Sequence, residues 1–118
     1  MDALQELQVW QRSKDLAVAV YKLLASCKDR GFKDQITRAS VSIPSNIAEG
    51  YERHSKKEFA HYLKIAKGSC AEVRTQLLIG QEIGFLDAEE SNNLIEESLE
   101  ISKMLQGLIR HCKKDGTT

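Results

Sequence analysis

The sequence predicts an all-α protein, an up-down-up-down antiparallel four-helix bundle. Apolar residues recur at steps of three and four in four long segments, which is the period of an amphipathic helix. Short polar connections separate these segments, and no segment shows the alternating pattern of a strand. With 118 residues, 42% of them hydrophobic and only one proline, we expect a single domain over residues 1–118.

The helices follow from continuous apolar stripes. They are predicted over about residues 7–27, 35–53, 56–83 and 88–113. In the first segment the stripe runs from Val9 to Cys27. In the third it runs from Phe59 to Gly80 without interruption, which indicates knobs-into-holes packing. The fourth segment has an acidic first half and a basic end, which suits the helix dipole.

Local signals set the predicted helix ends. Gly31 is expected to end the first helix, and Asp34 to cap the second. Ser55 and Asp87 each precede a glutamate by three positions, which forms a capping box at the start of the third and fourth helices. Gly84 is expected to end the third helix.

A proline lies inside the predicted second helix. Pro44 removes one backbone hydrogen bond and crowds the preceding turn, so a bend is expected. We expect the helix to continue, because the apolar spacing from Ile36 to Gly50 passes through the proline. Ser40, four residues earlier, is expected to accommodate the freed carbonyl.

Polar residues interrupt the apolar seams of the second and third helices. The predicted polar network consists of Arg38, Ser42, Asn46, Glu49, Ser69, Glu72 and Gln76. Because a misaligned packing would leave such groups unpaired, we expect the network to fix how copies of the chain dock. A second interpretation makes Glu49 and Glu72 a carboxylate pair for general acid–base chemistry.

The charge is balanced overall but uneven along the chain. The formal net charge is zero, with 17 basic and 17 acidic residues, which gives no support to strong nonspecific nucleic-acid binding. Residues 51–74 nevertheless carry an excess of lysine and arginine. The candidate nucleic-acid patch consists of Arg53, Lys56, Lys57, Lys64 and Lys67. A merely solvated helix face is the simpler interpretation of such lysines.

Catalytic and cofactor signals are weak. Glu58 and His61 form one E-x-x-H, half of a di-iron carboxylate site, but no second copy exists. No glycine-rich phosphate loop and no serine–histidine arrangement is found. We therefore predict no enzyme activity and no cofactor. The three cysteines form no C-x-x-C pair and are expected in the core.

Location follows from two absences in the sequence. The first residues lack the basic and apolar regions of a signal peptide, and no apolar run is long enough to span a membrane. We expect a cytoplasmic protein without a membrane partner.

The chain resembles a known family in three segments. These are VWQRSKDLAVAVY, QITRASVSIPSNIAEGYER and EFAHYLKIAKGSCAEVRTQLLIGQEIGFL, which together resemble the bacterial 23S ribosomal RNA intervening sequence proteins, a four-helix bundle family. The resemblance covers about Leu7 to Leu86, while the fourth helix matches only in pattern. The family is similar in fold to the accessory variability proteins of diversity-generating retroelements, which bind a reverse transcriptase and nucleic acid.

The resemblance implies a homopentamer, no known enzymatic activity and a link to RNA. The positions that match the family motifs are Arg38, Ser42, Asn46, Glu49, Gly50, Gly68, Ser69, Glu72, Thr75 and Gln76. The turn KDRGFKDQ departs from the family, which commonly has proline and glutamate there. Three functions stay open: an oligomer that binds RNA or a nucleic-acid-handling protein, a protein-interaction scaffold, and a metal-dependent enzyme built on Glu58 and His61.

Overall fold

The computed structural model describes residue 4 and residues 7–114, which fold into four long helices. The helices are α1 (Gln8–Leu23), α2 (Arg30–Glu52), α3 (Lys56–Glu82) and α4 (Ala88–Lys114). Each helix packs on its neighbour in sequence, and α1 also packs on α4, so the four surround one core. Neither residue 4 nor any residue in 7–114 lies in a strand. The predicted all-α four-helix bundle is therefore confirmed.

The core is built from the predicted apolar stripes. Its largest fully buried side chains are Val9, Leu16, Val20, Leu24, Ile36, Ile43, Ile47, Leu63, Val73, Leu77, Ile101 and Leu105. Each such side chain contributes about 1.5–3 kcal/mol when it is removed from water. Burial of these stripes holds four amphipathic helices together along a described length of 47 Å.

The connection between α1 and α2 differs from the prediction. Helix α1 ends at Leu23 and not near Cys27. Helix α2 begins at Arg30, more than one turn before the predicted start at Gln35. Gly31, the expected end signal of the first helix, lies instead in the first turn of α2.

Asp29 caps α2 in the role predicted for Asp34. Its carboxylate oxygen Oδ1 accepts a hydrogen bond from the backbone N–H of Phe32 at 2.9 Å. The ring of Phe32 packs edge-on against Phe85, with 5.6 Å between the ring centroids. Both aspartates have a side chain that can cap a helix. The contact of Phe32 with the end of the bundle favours the earlier start.

Helix α2 continues through Pro44, as the apolar spacing predicts. The buried hydroxyl of Ser40 donates to the backbone carbonyl of Thr37 at 2.8 Å, one turn before the proline. Ser40 therefore uses its hydroxyl on an earlier carbonyl and not on the one that the proline frees.

The other two turns follow the predicted capping signals. The hydroxyl oxygen of Ser55 accepts a hydrogen bond from the backbone N–H of Glu58 at 3.3 Å. The carboxylate of Asp87 accepts from the backbone N–H of Glu90 at 3.0 Å. Gly84 has a φ of 79°, the left-handed conformation that ends α3. These local signals place the starts of α3 and α4 at the predicted positions.

Candidate functional site

Two surfaces of different character flank α3. On one side lies the α2–α3 seam, which we define by the predicted polar network without Arg38, together with Ile65, Ile79 and Ile83. On the other side lies a groove between α3 and α4, the basic groove, which we define by its lining: Lys64, Lys67, Gly68, Ala71, Arg74, Ser102, Gln106, Ile109 and Lys113. Most of the predicted site residues lie on one or the other of these two surfaces. Arg38 and Val41 line a different groove of α2, together with Tyr21 of α1.

Three members of the polar network are hydrogen-bonded to one another within the chain. The hydroxyl oxygens of Ser42 and Ser69 are 2.9 Å apart, across the contact of α2 with α3. The amide nitrogen Nδ2 of Asn46 donates to the carbonyl oxygen of Ser42 at 2.8 Å and to its hydroxyl oxygen at 2.9 Å. Ser69 is buried, so these hydrogen bonds satisfy its hydroxyl group inside the bundle.

A glycine brings the two helices together beside this hydrogen-bonded chain. A Cβ atom added at Gly50 would lie 2.7 Å from the Cβ atom of Tyr62 and 3.1 Å from a ring carbon of Phe59. No side chain larger than hydrogen fits there without a shift of α3. The glycine of the SIPSNIAEG motif is therefore explained by close packing of α2 on α3.

The remaining members of the polar network do not take part in these hydrogen bonds. Arg38 and Glu72 are exposed, and Glu49 accepts a hydrogen bond at 2.8 Å from Arg53, the residue that follows α2. Gln76 is half-buried, and its side-chain oxygen Oε1 is buried without a hydrogen-bond partner among the described residues. The structure thus does not bring Glu49 and Glu72 into contact as a carboxylate pair.

Apolar side chains lie exposed along the same seam. Ile65, Ile79 and Ile83 of α3 are 40%, 46% and 52% exposed. They fall on the helical stripe that also carries the unpartnered oxygen of Gln76. Apolar surface that is rimmed by polar groups is typical of a protein–protein contact.

The basic groove has a volume of about 420 Å³ and concentrates positive charge. Four of its lining residues are cationic: Lys64, Lys67 and Arg74 from α3, and Lys113 from α4. None of the lining residues is acidic. The groove therefore presents an uncompensated positive surface to any anion that enters it.

The donors of the groove are held in place by neutral neighbours. Lys67 donates through Nζ to the amide oxygen of Gln106 at 2.7 Å, which orients the ammonium without neutralising it. The guanidinium nitrogen Nη1 of Arg74 is buried and has no hydrogen-bond partner within the described part of the chain. A Cβ atom at Gly68 would meet nothing within 4 Å, so the groove is open above this position.

Only part of the predicted nucleic-acid patch lies in the basic groove. Lys64 and Lys67 line it, whereas Lys56 and Lys57 are exposed near the start of α3. Arg53 belongs to the opposite side: it donates to Glu49 at 2.8 Å and to the hydroxyl of Tyr62 at 2.9 Å.

Two groove cations lie outside the predicted patch. Arg74 follows Lys67 by seven residues, so the helical period places both on one face of α3. Lys113 belongs to α4, and only the packing of α4 on α3 shows that it lines the same groove.

The residues considered for metal binding and catalysis are not assembled into a site. Glu58 and His61 are both exposed, and the ring of His61 packs edge-on against Tyr62. Among the described residues no group of three or more histidine, cysteine, aspartate or glutamate side chains could hold a metal ion. Burial raises the pKa of the Cys70 thiol to about 11, which suppresses its nucleophilic thiolate.

A membrane span is likewise not found in the described ranges, since none of the helices there combines the necessary length with sufficient apolar character.

Comparison with known proteins places this bundle in a family. The family model described as 23S rRNA-intervening sequence protein matches residues 5–107. The chain belongs to this family. The expected resemblance is thereby confirmed, and it extends into α4, beyond the segments that carried it in the sequence.

One solved structure similar to the chain is a crystal structure from Bacteroides thetaiotaomicron VPI-5482, a protein of unknown function from the S23 ribosomal protein family. It superimposes with a TM-score of 0.80 at 28% sequence identity, over 86% of this chain and 97% of that one. The search of curated proteins gave no match. The comparisons indicate no enzymatic family for this chain.

Proposed function

We propose that this protein is a non-enzymatic oligomer of the bacterial cytoplasm that binds RNA through the basic groove and self-associates through the α2–α3 seam. The observation that carries the RNA-binding proposal is the groove itself, where four cations line one surface without a carboxylate. Phosphate contacts of this kind supply most of the affinity for a nucleic-acid backbone. The family description, which names the 23S rRNA intervening sequence, agrees with RNA as the ligand.

Self-association supports RNA binding by repeating the groove. Each copy presents only a few cations, and the net charge of the chain is zero. Linking several grooves in one particle raises the effective concentration of phosphate contacts. The family resemblance implies five copies, which is the number we propose.

The α2–α3 seam is suited to contact a second copy. It combines exposed isoleucines with Gln76, whose buried oxygen lacks a donor within the described residues. A neighbouring copy that covers this surface would remove the isoleucines from water. Glu72 lies exposed on the same face of α3, seven residues from both Ile65 and Ile79, so a docked copy has to match its charge.

The RNA proposal is tested by filter binding with structured RNA over a salt series. We expect measurable affinity at low salt that falls linearly on logarithmic axes as salt increases. The double variant Lys64→Glu/Lys67→Glu should lose binding. Lys103→Glu is the control, because Lys103 is exposed on α4 and pairs with Glu100 outside the groove. Affinity that is absent at low salt, or indifferent to salt, contradicts the proposal.

The oligomer is tested by light scattering of the purified chain. We expect a mass near five times the 13.3 kDa of one protomer. Ile79→Lys should reduce the mass, because the lysine would place an unpaired charge in the contact. Leu99→Lys on α4 is a matched control, since Leu99 is 43% exposed and Ile79 is 46% exposed. A monomeric wild type, or equal effects of the two substitutions, rejects the proposed seam contact.

A protein-interaction scaffold is the second candidate, and the neutral net charge favours it. In that case the exposed seam would bind a different protein. A protein partner that is retained after nuclease treatment, together with no affinity for RNA, would select this candidate.

A further inference from the structure

We infer that the basic groove binds the sugar–phosphate backbone of one single-stranded RNA segment and that the guanidinium group of Arg74 binds one of its phosphates through two hydrogen bonds. This inference rests on the proposed RNA binding and makes it specific, because it assigns the surface, the form of the ligand and the anchoring residue. It depends on three properties of the groove, namely its charge, its length and its width.

The chemistry of Arg74 points to a phosphate. A guanidinium carries several N–H donors in a rigid plane that matches two oxygens of one phosphate. In this structure Nη1 is buried without a partner among the described residues, although the arginine lines an open groove. Burying a charged donor without an acceptor is costly, so a rotation of the side chain that turns Nη1 toward an anion in the groove is favoured by the hydrogen bond it gains.

The surrounding donors extend that single contact into a row. The ammonium of Lys67 is oriented by Gln106, and Lys64 lies one turn further along the same face of α3. From α4, Lys113 adds a fourth charge and Ser102 adds a hydroxyl group. Neutral donors and cations without a carboxylate fit successive phosphates better than they fit a protein chain of mixed charge.

The length of the row agrees with a short stretch of backbone. Lys64 and Arg74 are ten positions apart in one helix, which corresponds to about 15 Å at 1.5 Å per residue. One strand of a nucleic-acid helix carries a phosphate about every 3.4 Å along its axis. A single strand that keeps this helical spacing places about four phosphates along the row, beside three cations of α3 and facing Lys113 of α4.

The width of the groove selects one strand. It lies between two packed helices, whose axes are typically about 8–10 Å apart. Small residues, Gly68 and Ala71, form its α3 wall, and the space above Gly68 is empty to at least 4 Å. A single RNA strand can enter a groove of this width. A duplex is wider and would contact only the rim of the groove.

The experiment measures fluorescence anisotropy of a labelled RNA octamer, as a single strand and as the same sequence in a duplex, over a salt series. For the wild type we expect tighter binding of the single strand and a slope of log affinity against log salt near −2.8, the value of about −0.7 for each of four phosphates. Arg74→Gln should weaken single-strand binding about tenfold and should make the slope less steep by about 0.7.

A second variant tests the shape of the groove without changing its charge. Gly68→Leu fills the open space and should weaken single-strand binding, while its Cβ atom meets nothing within 4 Å, so the substitution starts without a backbone clash. Arg110→Gln is the matched control, because Arg110 is an exposed cation of α4 that does not line the groove. It should bind the single strand like the wild type.

The outcomes separate the two proposals. Wild-type protein that binds neither RNA overturns the proposed function and this inference together. Wild-type protein that binds RNA while Arg74→Gln and Gly68→Leu keep its affinity and slope overturns the groove assignment alone. Preference for the duplex overturns the single-strand assignment and leaves RNA binding in place.

Discussion

Replacing two helical glycines by alanine should change stability in opposite directions, because one glycine is a contact point and the other is not. Within a helix alanine is favoured over glycine by about 0.8–1.0 kcal/mol. At Gly107 in α4, an added Cβ atom meets nothing within 4 Å. Gly107→Ala should therefore stabilise the protein by up to about 1 kcal/mol.

At Gly50 the same propensity gain is opposed by a clash. The new Cβ atom would lie 2.7 Å from the Cβ atom of Tyr62, 3.1 Å from a ring carbon of Phe59 and 3.4 Å from the Cα atom of Phe59. Two of these atoms are fixed to the α3 backbone, so relief requires a shift of the whole helix. Overpacking of this kind costs about 1–3 kcal/mol. The net change should lie between about 0 and 2 kcal/mol of destabilisation.

The informative quantity is the difference between the two variants, because helix propensity contributes to both. We expect Gly50→Ala to be about 1–3 kcal/mol less stable than Gly107→Ala in urea unfolding followed by circular dichroism. All samples need the same protein concentration, since self-association would link stability to concentration. Equal stability of the two variants would refute the close approach of α2 to α3.

Three further outcomes follow from single contacts. Ser42→Ala should destabilise the protein by about 1–2 kcal/mol in urea unfolding, because it leaves the buried hydroxyl of Ser69 without its partner on α2 and removes one of the two hydrogen bonds of Asn46; no change would show that water replaces the hydroxyl. The half-exposed pair of Arg12 and Glu97, with N–O distances of 2.6 and 2.8 Å, should give a double-mutant coupling of about 0.5–1 kcal/mol that weakens with salt, and zero coupling at low salt would contradict it. With a pKa of about 11, the Cys70 thiol should resist alkylation at neutral pH in the native protein, while the half-buried Cys27 reacts; labelling of both cysteines at the same rate would contradict the burial of Cys70. The stability that the raised pKa of Cys70 contributes is present below its unfolded pKa of about 8.5 and is lost as pH rises through about 11.

The surface chemistry was predictable in part. The period of α3 places Lys64, Lys67 and Arg74 on one face, but the sequence does not show that Lys113 of α4 completes the groove, because helices contact through packing that leaves no local pattern. Arg53 belongs to the same basic segment of the chain, yet it faces Glu49 and Tyr62 on the other side of α3. Cationic residues that are close in sequence thus lie on two different surfaces, the basic groove and the side of α3 that faces α2.

The sequence by itself determined the number of helices, their apolar faces, the continuity through Pro44 and the caps at Ser55 and Asp87. These features depend on residues within one or two turns of each other, so their physics is local. The tertiary structure alone decided that Asp29 starts α2, because the ring of Phe32 packs on Phe85 in the turn between α3 and α4. It also decided which polar residues bond within the chain and which are exposed on its surface, because hydrogen bonds between helices depend on distances that no single helix fixes.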